Sequence, residues 1–366
     1  MTQLYEYSLI AALSLLLFFA VFFLVAKAPE NPIYGTFMRS SRIMGAALLV
    51  LSSNYIVHLF VGVRFLSHAA AILLNLSTYF LAYWLFTSAF IVLLDRNYLT
   101  KRRLTVNISL WTLYLAASVG TFFLGGGVLQ NVCILLLAVI LIVYGVRLSM
   151  IIIRTYNRTV RLFDDTCSDN IASYIEWMSV LMWWAIIYGV GCGLLTFLPD
   201  RYIFIWILSS MAFYIYVFCS YFNYLLHYDR VEKILETSED DVRQEPESEA
   251  VPPYYPDIAE KLAAWIPGHG YTSPGLTLED LAETVGTNRT YLSNYIRDTY
   301  QVSFREWIAY LRIDYAKAMM EEHPEYTVAA ISESAGFVSL SYFTRIFRKK
   351  EGVTPGKWLK AVQAEK

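Results

Sequence analysis

Residues 276–300, LTLEDLAETVGTNRTYLSNYIRDTY, decide how the C-terminal third folds. Thr277 stands where a helix needs an N-cap, and Asp280 follows three residues later, the spacing at which the two satisfy each other's backbone donors. Leu278, Leu281, Ala282 and Val285 then share one helical face. Gly286 stops that helix, and a second is predicted from near Asn288 with Tyr291, Leu292, Tyr295 and Ile296 turned inward. Two short helices about a tight glycine turn make a helix-turn-helix unit.

The arrangement returns about fifty residues later. Thr327 caps a helix bearing Val328, Ile331 and Ala335; Gly336 supplies the turn; Ser339 begins a helix with Tyr342, Phe343, Ile346 and Phe347 inward. Between the two units, residues 303–322, SFREWIAYLRIDYAKAMMEE, predict one long helix whose Phe304, Trp307, Ile308, Leu311 and Ala316 pack against both. Residues 257–366 therefore read as a soluble all-α domain, a duplicated unit on a rigid connector.

Upstream the composition changes. Residues 229–256 include ETSEDDVRQEPESEAVPPYYP, acidic and proline-containing, with too little apolar surface to fold alone. This is a linker, and about 20 flexible residues reach about 25 Å on average.

Before the linker the chain is of another kind. The whole sequence is 57% hydrophobic and 16% aromatic, too apolar for a soluble protein of this length. Seven apolar stretches, 4–26, 43–63, 69–94, 104–124, 128–153, 174–198 and 202–226, are each near the ~20 residues that cross a bilayer. Residues 1–228 are thus expected to form a seven-helix transmembrane bundle. The first stretch lacks the basic start of a cleaved signal peptide, having Thr2, Gln3 and Glu6, and reads as a retained span.

Orientation follows from where Lys and Arg gather. Lys27, Arg39 and Arg42 follow the first span; Arg96, Lys101, Arg102 and Arg103 the third; Arg154, Arg158 and Arg161 the fifth. The alternate loops offer only Arg64 and Arg201. The N-terminus is expected outside and everything after the last span in the cytoplasm, consistent with a multi-pass protein of a bacterial inner membrane.

With both units in place, the C-terminal hundred residues resemble the AraC/XylS family of bacterial transcription regulators. The resemblance is carried by LTLEDLAETVGTNRTYLSNYIRDTY, by LRIDYAKAMM, and above all by ISESAGFVSLSYFTRIFRKKEGVTPGKWL, where Gly336-Phe337, Ser341-Tyr342-Phe343, Arg345, Phe347 and Gly352 through Pro355 match the signature. It does not extend to the apolar half. It implies that the second helix of each unit enters the major groove of double-stranded promoter DNA, with half-sites about 34 Å apart. Carried over by position, the reading residues are Arg289, Thr290, Ser293, Asn294 and Arg297 in the first unit. In the second they are Ser339, Leu340, Ser341, Thr344, Arg345 and Arg348. Arginine pairs bidentately with guanine and asparagine with adenine. Lys349, Lys350 and Lys357 are expected to meet phosphates, which position without reading sequence.

Polar groups inside spans are costly. Asn54 and His58, and Asn75 and Tyr79, have i, i+4 spacing and fall in the outer half of the bilayer; Gln130 and Asn131 fall at the same depth. Two readings stand: interhelical hydrogen bonding, or a ligand site formed by Asn54, His58, Asn75, Tyr79 and Asn131. Asp164, Asp165 and Asp169 read as a solvated loop face near Arg158 and Arg161. The four cysteines lack metal-like spacing, and no nucleotide loop or catalytic constellation is present, so no enzyme, metal or cofactor is expected.

Together these readings describe a membrane-tethered one-component regulator, an activator by family habit. Its expected partners are promoter DNA, the lipid bilayer, a second copy of the chain, RNA polymerase, and an unknown small-molecule or protein signal. The alternative is a transporter-like or scaffold membrane protein with an accessory helix-turn-helix domain.

Overall fold

The computed structural model describes residues 2–169, 174–195, 202–229, 231–232, 235 and 254–365. The chain divides into two compact units, Met1–Arg158 with Tyr174–Lys233, and Thr159–Ser173 with Ile234–Lys366. Among the described residues no strand forms, and a single isolated bridge joins Cys167 to Thr277.

The first unit contains α1 (Thr2–Val25), α2 (Gly35–Ile56), the short α3 (Val63–Leu66), α4 (His68–Leu94), α5 (Lys101–Phe122), most of α6 (Val128–Thr166), α7 (Glu176–Leu195) and α8 (Ile203–Leu225). The α4 helix is apolar nearly all round and is the centre, since such a helix must be covered on every side. Its most apolar stretch is 78% buried, against 17% for α5 at the periphery. Small residues let the helices approach: the Ser40 hydroxyl of α2 donates to the Ala89 carbonyl of α4 at 2.5 Å, and Gly45 of α2 lies so close to Leu24 of α1 that a Cβ would stand 2.7 Å from its Cγ.

Six helices among the described residues are long and apolar enough to cross a membrane. The stretch expected as a further span, 174–198, coincides with α7 over Glu176–Leu195, and residues 196–201 lie outside the described residues. The linker expected over 229–256 also falls largely outside them.

One end of this unit gathers arginines that follow the first and third spans. Arg39 donates to the carbonyls of Arg96 and Leu99, and Arg96 pairs at 3.2 Å with the buried Glu232, which also accepts from the Tyr228 hydroxyl at 2.8 Å. The start of α2, the α4–α5 connection and the segment after α8 therefore lie at the same end.

Residues 154–166, expected as a basic loop after the fifth span, instead continue α6 as one helix of 39 residues. No glycine or proline interrupts IIIRTYNRTVRLFDDT, so nothing ends the helix where the apolar run ends. At 1.5 Å per residue α6 is about 58 Å long, roughly twice a bilayer's hydrocarbon thickness.

The second unit contains α9 (Tyr255–Trp265), α10 (Leu278–Thr284), α11 (Arg289–Tyr300), α12 (Phe304–Glu322), α13 (Val328–Ser334), α14 (Leu340–Glu351) and α15 (Pro355–Glu365). Thr277 and Thr327 cap helices as the sequence predicts. Thr277 and Asp280 form a reciprocal capping box on α10, while Asn288, Ser303, Thr327 and Ser339 accept from the third residue of α11, α12, α13 and α14. Gly286 and Gly336 take positive φ, 65° and 84°, between the members of each short pair.

Two cores share the connector α12. Phe304, Trp307 and Ile308 pack with Ile258, Leu262, Leu281, Leu292 and Ile296. One turn on, Ala309, Ile313, Ala316 and Met320 pack with Ile331, Phe343, Ile346 and Phe347. The change of partner along one helix fixes the angle between the two pairs.

Candidate nucleic-acid interface

On α14 the inward residues Tyr342, Phe343, Ile346 and Phe347 are buried, which turns Leu340, Ser341, Arg345 and Arg348 out to solvent and leaves Thr344 half-buried. Ser339 is exposed, and its side chain accepts from the Tyr342 amide at 3.3 Å, so it holds the helix start. The Arg345 guanidinium lies 5.4 Å over the Tyr342 ring, a contact that pre-orients it. Leu340, 47% exposed at the first turn, is an apolar group of the kind that meets a thymine methyl.

Lys349 and Lys350 are not simply offered outward. Lys349 donates to Glu306 at 2.6 Å; Lys350 donates to Asp314 at 2.5 Å and to the Tyr310 carbonyl at 3.0 Å. Both tie α14 to the connector. Burial alone would push the Glu306 carboxyl up, but hydrogen bonds from Lys349 and Tyr310 and the charges of Lys349 and Arg305 outweigh it and hold the group below its usual range. Lys357, on α15, is exposed.

On α11, Thr290 and Ser293 are half-buried at the surface. Asn294 is hydrogen-bonded to the Tyr254 hydroxyl, and the Tyr254 ring stacks on Tyr291 at 3.9 Å. The two arginines of this helix meet residues from the end of α6. Arg289 donates to the Thr166 hydroxyl at 3.3 Å, and Arg297 pairs with Asp165 at 3.5 Å.

The acidic residues expected as a solvated loop face are thus engaged. Asp164 pairs with Arg305, and Asp169 pairs with Arg312 at 3.4 Å while accepting the Gly275 amide at 3.0 Å. The Ser168 amide donates to the Leu276 carbonyl at 3.0 Å, beside the Cys167–Thr277 bridge. Spacing within the sequence cannot show this, because the partners lie more than a hundred positions away. Burial pushes the Cys167 thiol up to about 12, so it stays protonated here and is a packing group.

Two residues escaped the sequence reading. Arg305 lies 4.6 Å over the Tyr342 ring and donates to its hydroxyl at 3.1 Å. Arg312, 1% exposed, donates to the carbonyls of Tyr271 at 2.7 Å and Ser273 at 2.8 Å. A basic residue on a helix carries no local mark that its partners are backbone carbonyls forty positions upstream.

In the first unit, Asn75 joins two of the expected ligand residues. Its side-chain oxygen accepts from Asn54 at 3.1 Å and stands 2.8 Å from His58 Nε2. Asn54, His58, Asn75 and Tyr79 line one cavity, together with Tyr5, Tyr55 and Trp206. Asn131 is exposed and not among the lining residues, and Gln130 donates to the Thr121 and Phe122 carbonyls at the end of α5. Asn75→Leu is expected to lower the stability of this unit by roughly 1 kcal/mol, the scale of interhelical hydrogen bonds in membranes. Reversible unfolding of the full chain in mixed micelles measures it; an unchanged midpoint would mean the Asn54–Asn75–His58 contacts contribute nothing.

Residues 281–361 match the family model described as a helix-turn-helix domain. Among curated relatives, the chain is 34% identical over 98 residues to the uncharacterized HTH-type transcriptional regulator YobQ of Bacillus subtilis, covering 27% of this chain and 40% of that protein. It is 28% identical over 95 residues to the Msm operon regulatory protein of Streptococcus mutans, covering 26% and 34%. To the HTH-type transcriptional regulator ExsA of Pseudomonas aeruginosa it is 34% identical over 80 residues, covering 22% and 28%. The chain therefore spans well under half the length of these relatives. No solved structure matches it significantly.

Proposed function

We propose, from a chain whose residues 281–361 are an AraC-type helix-turn-helix domain, that the whole protein is a membrane-tethered one-component transcription regulator. The observation that carries the reading is the joining, in one chain, of six helices long and apolar enough to span a bilayer to a domain that turns Arg345 and Arg348 outward from α14. Those arginines, with Arg289, Thr290, Ser293, Asn294 and Arg297 of α11, read base edges in successive major grooves. Leu340, Ser341 and Thr344 add contacts that discriminate less.

The gathering of Arg39, Arg96 and Glu232 at one end supports an arrangement in which that end faces the cytoplasm, the side where Lys and Arg collect. The polar cavity of Asn54, His58, Asn75 and Tyr79 is the signal site, and a ligand that prefers one packing of the bundle supplies the switching energy. A second copy raises the effective concentration of the reading domain at a paired site.

Vesicles of opposite sidedness test tether, orientation and binding together. Inside-out vesicles carrying the full chain are expected to retain sheared chromosomal fragments; right-side-out vesicles from the same cells are not. Equal retention by both, or none above vesicles lacking the protein, would contradict the proposal.

A further inference from the structure

The end of α6 and the residues just after it carry three carboxylates in six positions, Asp164, Asp165 and Asp169, and each meets an arginine of the same compact unit: Arg305, Arg297 and Arg312. Thr166, between them, accepts from Arg289. Arg289 and Arg297 both project from α11, the helix proposed to enter the major groove. Backbone pairing of Ser168 with Leu276, the Cys167–Thr277 bridge and the Gly275 amide on Asp169 set the register that places each acid on its arginine.

We infer that residues 164–169 compete with DNA for the arginine surface of the reading domain, so that the chain as described is the DNA-weak state. A guanidinium that holds a carboxylate presents the same donors a phosphate or a guanine edge would take. Segment and duplex therefore exclude one another at Arg297, and the acids repel the approaching backbone phosphates. The competitor is tethered, so its local concentration is high even though the exposed Arg297–Asp165 pair is weak. Residues 159–166 are the last turns of α6, and a shift of those turns withdraws the acids from α11. This inference rests on the proposed DNA-reading role and names how that surface is regulated.

The test uses the full chain in lipid nanodiscs and a fluorescent 40-base-pair duplex of random sequence, with affinity measured by anisotropy across a salt series. Asp165→Asn leaves the fold-determining contacts alone, since the Arg297 and Asp165 side chains are 59% and 38% exposed. It is expected to tighten binding roughly 2–5-fold, the range of one exposed pair. Asp164→Asn with Asp165→Asn is expected to reach roughly tenfold, and the salt dependence steepens as the freed arginine takes a phosphate. Asp165→Glu keeps the charge and is expected to behave as the wild type. Wild-type binding unchanged or weakened in Asp165→Asn would overturn the competition while leaving DNA reading intact. Absence of binding by the wild type and by both Asn variants at low salt would overturn both.

Discussion

Arg312→Ala is expected to destabilise the second unit by roughly 3–5 kcal/mol, the cost of removing one partner from a buried charged network. The side chain is 1% exposed and lies 5.7 Å over the Phe337 ring. It donates to two carbonyls, those of Tyr271 and Ser273, and its loss leaves both without that donor and Asp169 without its arginine. Hydrogen exchange of the full chain reads the effect, as faster exchange across α12 and the amides of 270–275. Arg312→Lys keeps the charge but reaches fewer acceptors, so it is expected to fall between wild type and Ala. Exchange in Arg312→Ala equal to that of the wild type would show that the guanidinium is dispensable.

Gly336→Ala acts at the same joint from the other side. Gly336 has φ +84°, and a Cβ there would stand 2.1 Å from the Thr272 carbonyl oxygen, a backbone atom that cannot swing away. The left-handed backbone costs a non-glycine residue about 1–2 kcal/mol, and forced displacement of the 270–273 segment adds about 1–3. We expect about 3 kcal/mol in all, with a larger relative loss of DNA binding, because Thr272 lies between the two carbonyls that Arg312 holds. The 271–273 strip is clamped between α12 and the turn before α14, so it sets how one reading pair is placed against the other. The double variant Arg312→Ala, Gly336→Ala should fall short of the sum of the singles, since the second change acts on a joint already loosened. Thermal unfolding of the second unit in the full chain measures all three; full additivity would mean that the two residues support separate features.

Local chemistry made much of this unit legible in the sequence. Thr277 with Asp280, Asn288, Ser303, Thr327 and Ser339 cap helices because a short oxygen-bearing side chain at a helix start satisfies a backbone donor within three residues, a relation visible at that range. The α12 residues that divide the two cores were readable from three- and four-residue spacing. The engagement of Asp164, Asp165 and Asp169 was not, nor was the pairing of Lys349 and Lys350 with α12. Charged side chains carry no local sign of a partner dozens of positions away, and the bland expectation for each is a solvated face. The continuation of α6 to Thr166 was readable only as the lack of a stop signal, and the change from apolar to basic composition drew the boundary too early. In the first unit, the i, i+4 pairs brought Asn54, His58, Asn75 and Tyr79 to one cavity, because those relations are again local. Asn131 shared only their depth in the bilayer, which does not place a residue on a common face.

We propose that this chain reads DNA while anchored in a membrane. The decisive test is chromatin immunoprecipitation of the tagged full-length protein beside an Arg345→Ala, Arg348→Ala variant of equal abundance in the membrane fraction. Discrete chromosomal peaks are expected with the wild type, and their loss in the variant. Peaks of equal height in both, or no enrichment with the wild type and with Asp165→Asn alike, would contradict it.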